Sequence, residues 1–321
     1  MNISIVMPNH NRVDALPLTL EALAQQTYPA DQFEVIVVDQ ASTDGSRELV
    51  TSFTAPYSLR LVTQDAKYGI SVGRNGGVEA AKSPLVILLD ADIISEPELV
   101  QTHIDLHHKS PQPVLGCGRL LPYQPAYQRF IEQVANPESG LDRGTELEDF
   151  PFWYAFGGQL SFSGLTFQQV GPFSPELKGA EDIEFAYRAA QLGIGIKNCF
   201  KAVGYHNHSR SLEERCERAF VYWRIIPTFL AMHPEVRGVI PGIAELEPID
   251  WGHESLASFS AKAQAGFWAL TGVRAGLYRY LVWAEKQRAF PRLTKFCYYR
   301  LMLGEMRAGA RQGQQLATRE A

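Results

Sequence analysis

The sequence comprises 321 residues, of which 45% are hydrophobic and 20% charged, and its formal net charge is −5. This composition is that of a globular protein and excludes a disordered chain, and the length allows one large domain or two smaller ones. The negative charge and the lack of a long basic run argue against nucleic-acid binding.

The four cysteines are scattered and form no C-x-x-C pair. We therefore expect neither a disulfide framework nor a cysteine zinc site. The opening residues, MNISIVMPNHNR, lack the basic start and apolar centre of a signal peptide. No uncharged stretch is long enough to span a bilayer. These features predict a cytoplasmic protein.

Strand-like and helix-like segments alternate over the first 97 residues. ISIVMP predicts a buried strand that Pro8 ends, and DALPLTLEALAQQ predicts a helix with Leu16, Leu20 and Leu23 on one face. FEVIVVD, LRLVTQ and PLVILLD predict further strands, whereas STDGSRELVTSF and ISVGRNGGVEAAK predict helices. This order predicts an α/β fold with a mostly parallel sheet flanked by helices.

The pattern becomes mixed after residue 97. PELVQTHIDLHHK and GAEDIEFAYRAAQLG predict helices, PVLGCGRLL predicts a strand, and IGIKNCFKAVGYHNH predicts a short strand before a histidine pair. Residues 122–150 are polar and irregular. From Leu212 onward the sequence predicts only helices, followed by a polar tail, GARQGQQLATREA. We therefore predict two domains, 1–210 and 211–321.

Carboxylates follow two of the predicted strands, at the sheet edge where ligands bind in such folds. Asp90 and Asp92 have a spacing suited to Mg²⁺ or Mn²⁺ held with substrate phosphates, although a solvated turn is the alternative. Asp39 could accept hydrogen bonds from a base or a ribose, or it could cap a helix.

Three further groups are candidates for a site. Glu181 and Asp182 open a helix, where acids either complement the helix dipole or act as a general base. His206 and His208 would face the same side of an extended chain and could bind a metal, and the alternative is ordinary exposed histidines. The glycine pair at residues 157 and 158 permits close approach of a ligand, or forms a tight turn.

Taken in order, these segments resemble the family 2 glycosyltransferases of the GT-A fold. SIVMPNHNR is similar to that family's opening strand and turn, and EVIVVDQASTDGS to its VVDDGSTDGS segment. GISVGRNGGVEAAKSPLVILLDAD is similar to its G-x-x-x-A-R-N-x-G helix and DxD strand. KGAEDIEFAYRAAQLG is similar to its Glu-Asp segment. The resemblance extends over residues 1–210.

The resemblance implies a role for most of these side chains. Asp182 would be the base that deprotonates an acceptor hydroxyl, and Asp92 would bind the metal together with His206, for which His208 is the rival. The remaining residues implied to contact the nucleotide sugar are Pro8, Asn11, Asp39, Arg74, Asn75, Asp90, Ala91, Gly157, Gly158 and Glu181.

The resemblance also implies the ligands and the reaction. The cofactor would be Mn²⁺ or Mg²⁺, and a sugar would pass with inversion from a nucleotide donor, commonly UDP-linked, to a saccharide, lipid-linked or peptide acceptor. The family often has a second Asp where this chain has Gln40. This difference leaves open whether the donor nucleotide is UDP or another nucleotide.

Two other functions are compatible with parts of the pattern. A nucleotidyltransferase should have a glycine-rich, basic phosphate loop after the first strand, and MPNHNRVDA lacks it. A catalytically inactive nucleotide-sugar-binding module should have lost an acid, yet Asp90, Asp92 and Asp182 are all present.

The C-terminal region carries an apolar helical stripe with aromatic and basic flanks. We expect this stripe to pack on the catalytic domain, to form a homodimer, or to lie on the inner face of a membrane, as its Trp, Tyr, Lys and Arg content suits. Our prediction is packing on the catalytic domain near the acceptor. The residues of the stripe are Leu270, Val273, Leu277, Leu281 and Ala284.

Overall fold

The computed structural model describes residues 3–125, 129–135, 149–240, 243–246 and 255–320. These residues form two compact units. The sheet unit comprises residues 3–125 and 149–208. The helical unit comprises the described residues from 209 onward together with residues 129–135, which lie between two strands of the sheet unit in the sequence.

The strands are β1 (Ile3–Asn9), β2 (Phe33–Gln40), β3 (Ser58–Gln64), β4 (Leu85–Leu89), β5 (Ile93–Ser95), β6 (Val114–Pro122), β7 (Gln159–Ser163) and β8 (Gly195–His206). The helices are α1 (Leu16–Ala24), α2 (Ser46–Ser52), α3 (Ile70–Ala80), α4 (Leu99–Lys109), α5 (Phe130–Ala135), α6 (Gly164–Val170), α7 (Glu181–Gln191), α8 (Leu212–Met232), α9 (Ile243–Leu246), α10 (Leu256–Trp268), α11 (Thr271–Gln287) and α12 (Pro291–Glu320). Among the described residues, no helix is long and apolar enough to cross a membrane.

The strands form one mixed sheet in the order β3-β2-β1-β4-β7-β6-β8-β5. Strands β1 to β4 are mutually parallel where they pair, and β6 is parallel to β8, whereas β7 is antiparallel to both of its neighbours. The predicted α/β fold with a mostly parallel sheet is thereby confirmed. Leu16, Leu20 and Leu23 of α1 are fully buried, as the periodicity predicted.

Two predicted boundaries are wrong. Pro8 does not end β1, because the strand continues to Asn9. β1 pairs with β4 only as far as Val6. The β1–β4 ladder therefore requires no hydrogen bond from residue 8, where proline has no N–H to donate. The segment 122–150 is also not irregular throughout, since it contains α5.

A buried polar cluster lies between α4 and the sheet. Nδ1 of His103 and Nε2 of His107 lie 2.9 Å and 2.8 Å from Oγ of Ser161. The Gln159 amide nitrogen approaches Nε2 of His103 at 3.4 Å, which assigns a neutral His103 that donates through Nδ1. Burial lowers the pKa of His103 to about 3 and that of His107 to about 4.

These histidines predict a loss of stability in mild acid. Both bind protons near pH 6.5 when unfolded and far below that when folded, so the unfolded state gains protons first as the pH decreases. Between pH 7 and pH 5 the free energy of unfolding should fall by about 2–4 kcal/mol. Urea titrations at several pH values measure this. The double variant His103→Gln/His107→Gln should lose most of the pH dependence, whereas the exposed His108→Gln should keep it; a flat wild-type profile would contradict the assignment.

The helical unit has its own core. Leu281 and Ala284 of α11 are fully buried, and Leu281 packs with Ile131 of α5 and Leu301 of α12. The predicted stripe therefore packs inside the helical unit, on α12 and on α5, and α5 lies within the range predicted for the catalytic domain. Leu270 precedes the helix and is 52% exposed, so it does not belong to the buried stripe.

The polar tail predicted at the C-terminus is instead the last part of α12, which packs on α8. A Cβ atom at Gly309 would lie 2.1 Å from the carbonyl oxygen of Phe220, and one at Gly313 would lie 2.1 Å from that of Arg224. Glycine at these positions permits the two helix backbones to approach closely. This part of α12 is therefore an ordered element of the helical unit.

An ion pair in the helical unit ties α5 to α8. Glu132 is 2% exposed and accepts a hydrogen bond from Nη2 of Arg215 at 2.6 Å. The same carboxylate accepts from the hydroxyl of Ser209 and the backbone N–H of Arg210. Because these three partners lie at or just before the start of α8, Glu132 fixes α5 to this end of the helix.

Candidate active site

The ends of β1, β2 and β4 bring polar residues to one edge of the sheet, because these strands run parallel. The register places Asn9 opposite Asp39, and Asp90 follows β4 directly. Since β7 runs antiparallel to β4, the loop before β7 reaches the same edge and carries Gly157 and Gly158. Four segments distant in sequence thus contribute to one site.

Arg74 of α3 links the first DxD aspartate to the start of α7. Its side chain is 4% exposed, with Nη1 2.7 Å from Oε1 of Glu181 and Nη2 3.5 Å from Oδ1 of Asp90. Nε of Arg74 is buried and has no hydrogen-bond partner. Removing this cation would leave Glu181 charged and buried, so Arg74 holds the two carboxylates in place.

The glycine pair fits closely around these side chains. A Cβ atom at Gly157 would lie 2.3 Å from Cζ of Arg74, and one at Gly158 would lie 3.0 Å from Oδ2 of Asp90. The carbonyl oxygen of Gly158 also accepts the backbone N–H of Asp90 at 3.0 Å. A side chain at residue 157 would therefore displace the guanidinium group.

The two acids that open α7 have different surroundings. Oδ2 of Asp182 accepts the backbone N–H of Gly157 at 2.8 Å, and its carboxylate is half-buried. Glu181 is 3% exposed and pairs with Arg74. Burial raises the pKa of Glu181, the adjacent Asp182 adds to this, and Arg74 opposes it. Of the two acids, Asp182 is the more accessible to a substrate.

Asp92 and His206 approach each other at the second part of the site. Nε2 of His206 lies 3.5 Å from Oδ1 of Asp92, and Nε of Arg12 lies 3.7 Å from its Oδ2. Burial alone would raise the pKa of Asp92, but His206, Arg12 and His208 lower it to about 2. The carboxylate is therefore ionised at neutral pH. The ring of His208 lies 6.1 Å from that of His206.

Asp39 lies at the centre of a third group of polar residues. Its carboxylate is fully buried and accepts hydrogen bonds from Asn9, Arg47 and the backbone N–H of Ser42. Burial alone would raise the pKa of Asp39, but these hydrogen bonds outweigh it and the pKa is lowered. Asn11 joins the same loops, since its amide oxygen accepts the N–H of Thr43 at 2.9 Å.

Three of the predicted contact residues have structural partners. The side chain of Asn75 both donates to and accepts from the backbone of Phe173 at 2.9 Å, so it closes the loop after α6. The carbonyl oxygen of Ala91 accepts the hydroxyl of Thr19 at 3.0 Å. Pro8 lies within β1, beside Val38 of β2.

The sequence interpretation missed the cations that accompany the acids. Arg12 faces Asp92 and Arg47 pairs with Asp39. Each arginine follows a strand that ends at the site, Arg12 after β1 and Arg47 after β2. This position in the sequence could have identified both arginines as site residues, because residues just beyond the ends of parallel strands lie together at one edge of the sheet.

The arrangement of the site residues agrees with the proteins to which this chain is similar. Residues 4–154 match the sequence profile of glycosyl transferase family 2. Residues 4–154 of the chain therefore belong to that family. It is 30% identical over 220 residues to validoxylamine A glucosyltransferase from Streptomyces hygroscopicus subsp. jinggangensis, covering 60% of this chain and 52% of the relative. The chain thus spans about half the length of that glycosyltransferase.

Solved structures of glycosyltransferases show the same fold. The mannosyltransferase PcManGT from Pyrobaculum calidifontis, in complex with GDP-Man and Mn²⁺, superimposes with a TM-score of 0.62 at 17% identity, covering 96% of this chain and 86% of that chain. TarS 1–349 of S. aureus, in complex with UDP, gives a TM-score of 0.52 at 18% identity, covering 99% and 92%. The fold of this family 2 chain is therefore GT-A, as its sequence predicted.

Proposed function

We propose that this chain transfers a sugar from a UDP-linked donor to an acceptor hydroxyl, with inversion, in saccharide or glycoconjugate synthesis. The observation that carries the proposal is the convergence of Arg74, Asp90 and Asp182 with the glycine pair at one sheet edge of a family 2 chain. This arrangement places a half-buried carboxylate, the proposed general base, beside a buried ion pair.

Asp182 is the proposed base. The N–H of Gly157 holds one of its oxygens, which orients the carboxylate while leaving it partly open to solvent. It would remove the proton from the acceptor hydroxyl as that oxygen attacks the anomeric carbon and the bond to the diphosphate breaks. A single displacement of this kind inverts the anomeric carbon, and no carboxylate nucleophile is needed.

Asp39 is proposed to contact the nucleotide base. Its carboxylate is already surrounded by Asn9, Ser42 and Arg47. A base would therefore have to replace one of these hydrogen bonds. The side chain of Arg47 is 36% exposed, whereas Asn9 is 3% exposed, so the guanidinium group of Arg47 is the partner that we expect to give way.

Asp92 and His206 are the proposed ligands of Mn²⁺ or Mg²⁺. A buried, ionised carboxylate facing an imidazole suits Mn²⁺, and oxygens of a diphosphate would complete the coordination. Within the described ranges, no set of three His, Cys, Asp or Glu side chains forms a metal site by itself. Such a metal would neutralise charge on the leaving diphosphate. PcManGT, which shares this fold, is in complex with Mn²⁺.

This assignment predicts metal-dependent activity. Transfer should require Mn²⁺ or Mg²⁺ and stop when a chelator is added. Asp92→Ala should weaken the metal-dependent part of nucleotide binding by about 10–100-fold or more. His206→Ala should weaken it less, because the aspartate oxygens remain. Calorimetric titration with UDP, with and without Mn²⁺, measures the difference, with the exposed His108→Ala as the control. Full activity in chelator would disprove the metal role.

The donor and acceptor require a direct survey. Gln40 replaces an acid beside the nucleotide, and its amide donates to Gln64 at 2.6 Å and to the carbonyl oxygen of Gly69 at 3.0 Å. A panel of UDP-, GDP- and other nucleotide sugars, offered with saccharide, lipid-linked and peptide acceptors, should give a new product mass with UDP donors. Release of sugar from none of the donors would overturn the proposed activity.

A further inference from the structure

Helix α10 carries an exposed apolar stripe. Leu256, Phe259, Ala263 and Phe267 recur at the spacing that places side chains on one helical face. Leu256 is 89% exposed and Phe267 is 51% exposed. The helix contributes a different residue, the buried Ala265, to the core of the helical unit. The stripe is therefore additional to the apolar surface that holds α10 in place.

The first turns of α12 continue this apolar surface. A groove of about 480 Å³ is lined by Phe259, Phe267, Trp268 and Arg300, among others. Phe296 packs edge-on against Trp268, with ring centroids 6.2 Å apart. Phe296 is also 47% exposed, and Leu293, one turn earlier, is 48% exposed. We name these residues, together with the α10 stripe, the α10–α12 surface.

Positive charge accompanies the apolar side chains. The guanidinium group of Arg300 lies over the rings of Phe296, at 5.0 Å, and Trp268, at 5.6 Å, which holds it at the groove. Residues 255–311 contain only two acidic residues, although the whole chain is net negative. The exposed basic residues of this segment are Arg279, Lys286, Arg288, Arg292, Lys295 and Arg311, whereas Lys262 and Arg307 are buried and Arg274 pairs with Glu305.

We propose that the α10–α12 surface binds the headgroup region of an anionic lipid bilayer. Exposed Phe and Leu side chains enter the boundary between headgroups and acyl chains, while Arg and Lys attract lipid phosphates. A soluble anionic glycan would satisfy Arg300 but would leave Leu256 and Leu293 in contact with water. The combination of charge and large aliphatic groups therefore favours a bilayer, and this inference does not depend on the proposed donor or acceptor.

Sedimentation of the full chain with lipid vesicles tests the proposal. The wild-type protein should sediment with phosphatidylcholine vesicles that contain phosphatidylglycerol, and much less with phosphatidylcholine alone. Raising the salt concentration should weaken binding without abolishing it, because salt screens only the electrostatic part. The double variant Phe267→Ser/Phe296→Ser should bind about tenfold more weakly, since both side chains would leave the interface.

Two further variants make the result specific. Leu256→Ser changes the most exposed residue of the surface, so folding should be unaffected while binding falls severalfold. Leu165→Ser removes a leucine that is 71% exposed in the sheet unit and should bind as the wild type does. The proposal would be overturned if Leu165→Ser lost as much vesicle binding as the surface variants do. It would also be overturned if the surface variants bound vesicles as the wild type does, or if the wild type did not bind them. The proposal would also be overturned if the wild-type protein bound dextran sulfate but not the vesicles, and the double variant bound neither. That result would assign the surface to an anionic glycan.

Discussion

The variant Asp182→Asn should lose sugar transfer by about 10²–10⁴-fold while its affinity for the donor stays nearly unchanged. Asparagine has almost the same shape, but its amide cannot take the proton of the acceptor hydroxyl. It can still accept one of the two backbone N–H groups, of Gly157 and Ile183, that the carboxylate accepts now. Single-turnover kinetics with a labelled donor, beside a donor-binding titration, separate the chemical step from binding.

Glu181→Gln is the matched control for this variant. It weakens the ion pair to the buried Arg74, so we expect a lower melting temperature and a smaller decrease in transfer. Wild-type turnover by Asp182→Asn, together with an inactive but folded Glu181→Gln, would reverse the assignment of the base.

The second large effect concerns the stability of the helical unit. Glu132→Ala should lower the free energy of unfolding of this unit by about 3–5 kcal/mol, because Arg215 would remain buried without its carboxylate. Chemical denaturation followed by circular dichroism at 222 nm, where helices dominate, measures it.

Two companion variants test the cause of this destabilisation. Glu217→Ala, at an exposed position of α8, the helix that carries Arg215, should change stability by less than about 0.5 kcal/mol. Adding Arg215→Met to Glu132→Ala should restore part of the loss, because the unpaired charge is removed. If Glu132→Ala were as stable as Glu217→Ala, the buried pair would have no part in holding α5.

Local sequence patterns were sufficient for most of the sheet unit, although β5, α6 and β7 were not predicted. Buried strands with uniform apolar residues and helices with a repeating leucine face depend on neighbours in the chain, and β2, β4 and α1 were predicted correctly. The site residues were expected to act together only because of the order of segments in the resembled family. The roles of the site residues stay predictions until the variants above are measured.

Contacts between distant segments could not be predicted in this way. Gly309 and Gly313 indicate flexibility when only their neighbours are considered, and it is the backbone of α8 that makes them part of a packed helix. Arg74 was predicted to help hold the nucleotide, and its ion pairs with Glu181 and Asp90 were not predicted. His103 was predicted to be helical, but its burial beside Ser161 depends on a strand 58 residues away.

The placement of α5 in the helical unit has a consequence for protein engineering. A fragment that begins at residue 209 would lack Glu132, and a fragment that ends at residue 210 would keep α5 without the helices that cover it. Exchanging the helical unit between related enzymes therefore requires three junctions, two that flank residues 129–135 and one near residue 209. A chimera built with a single junction would fail by misfolding, and its inactivity would carry no information about specificity.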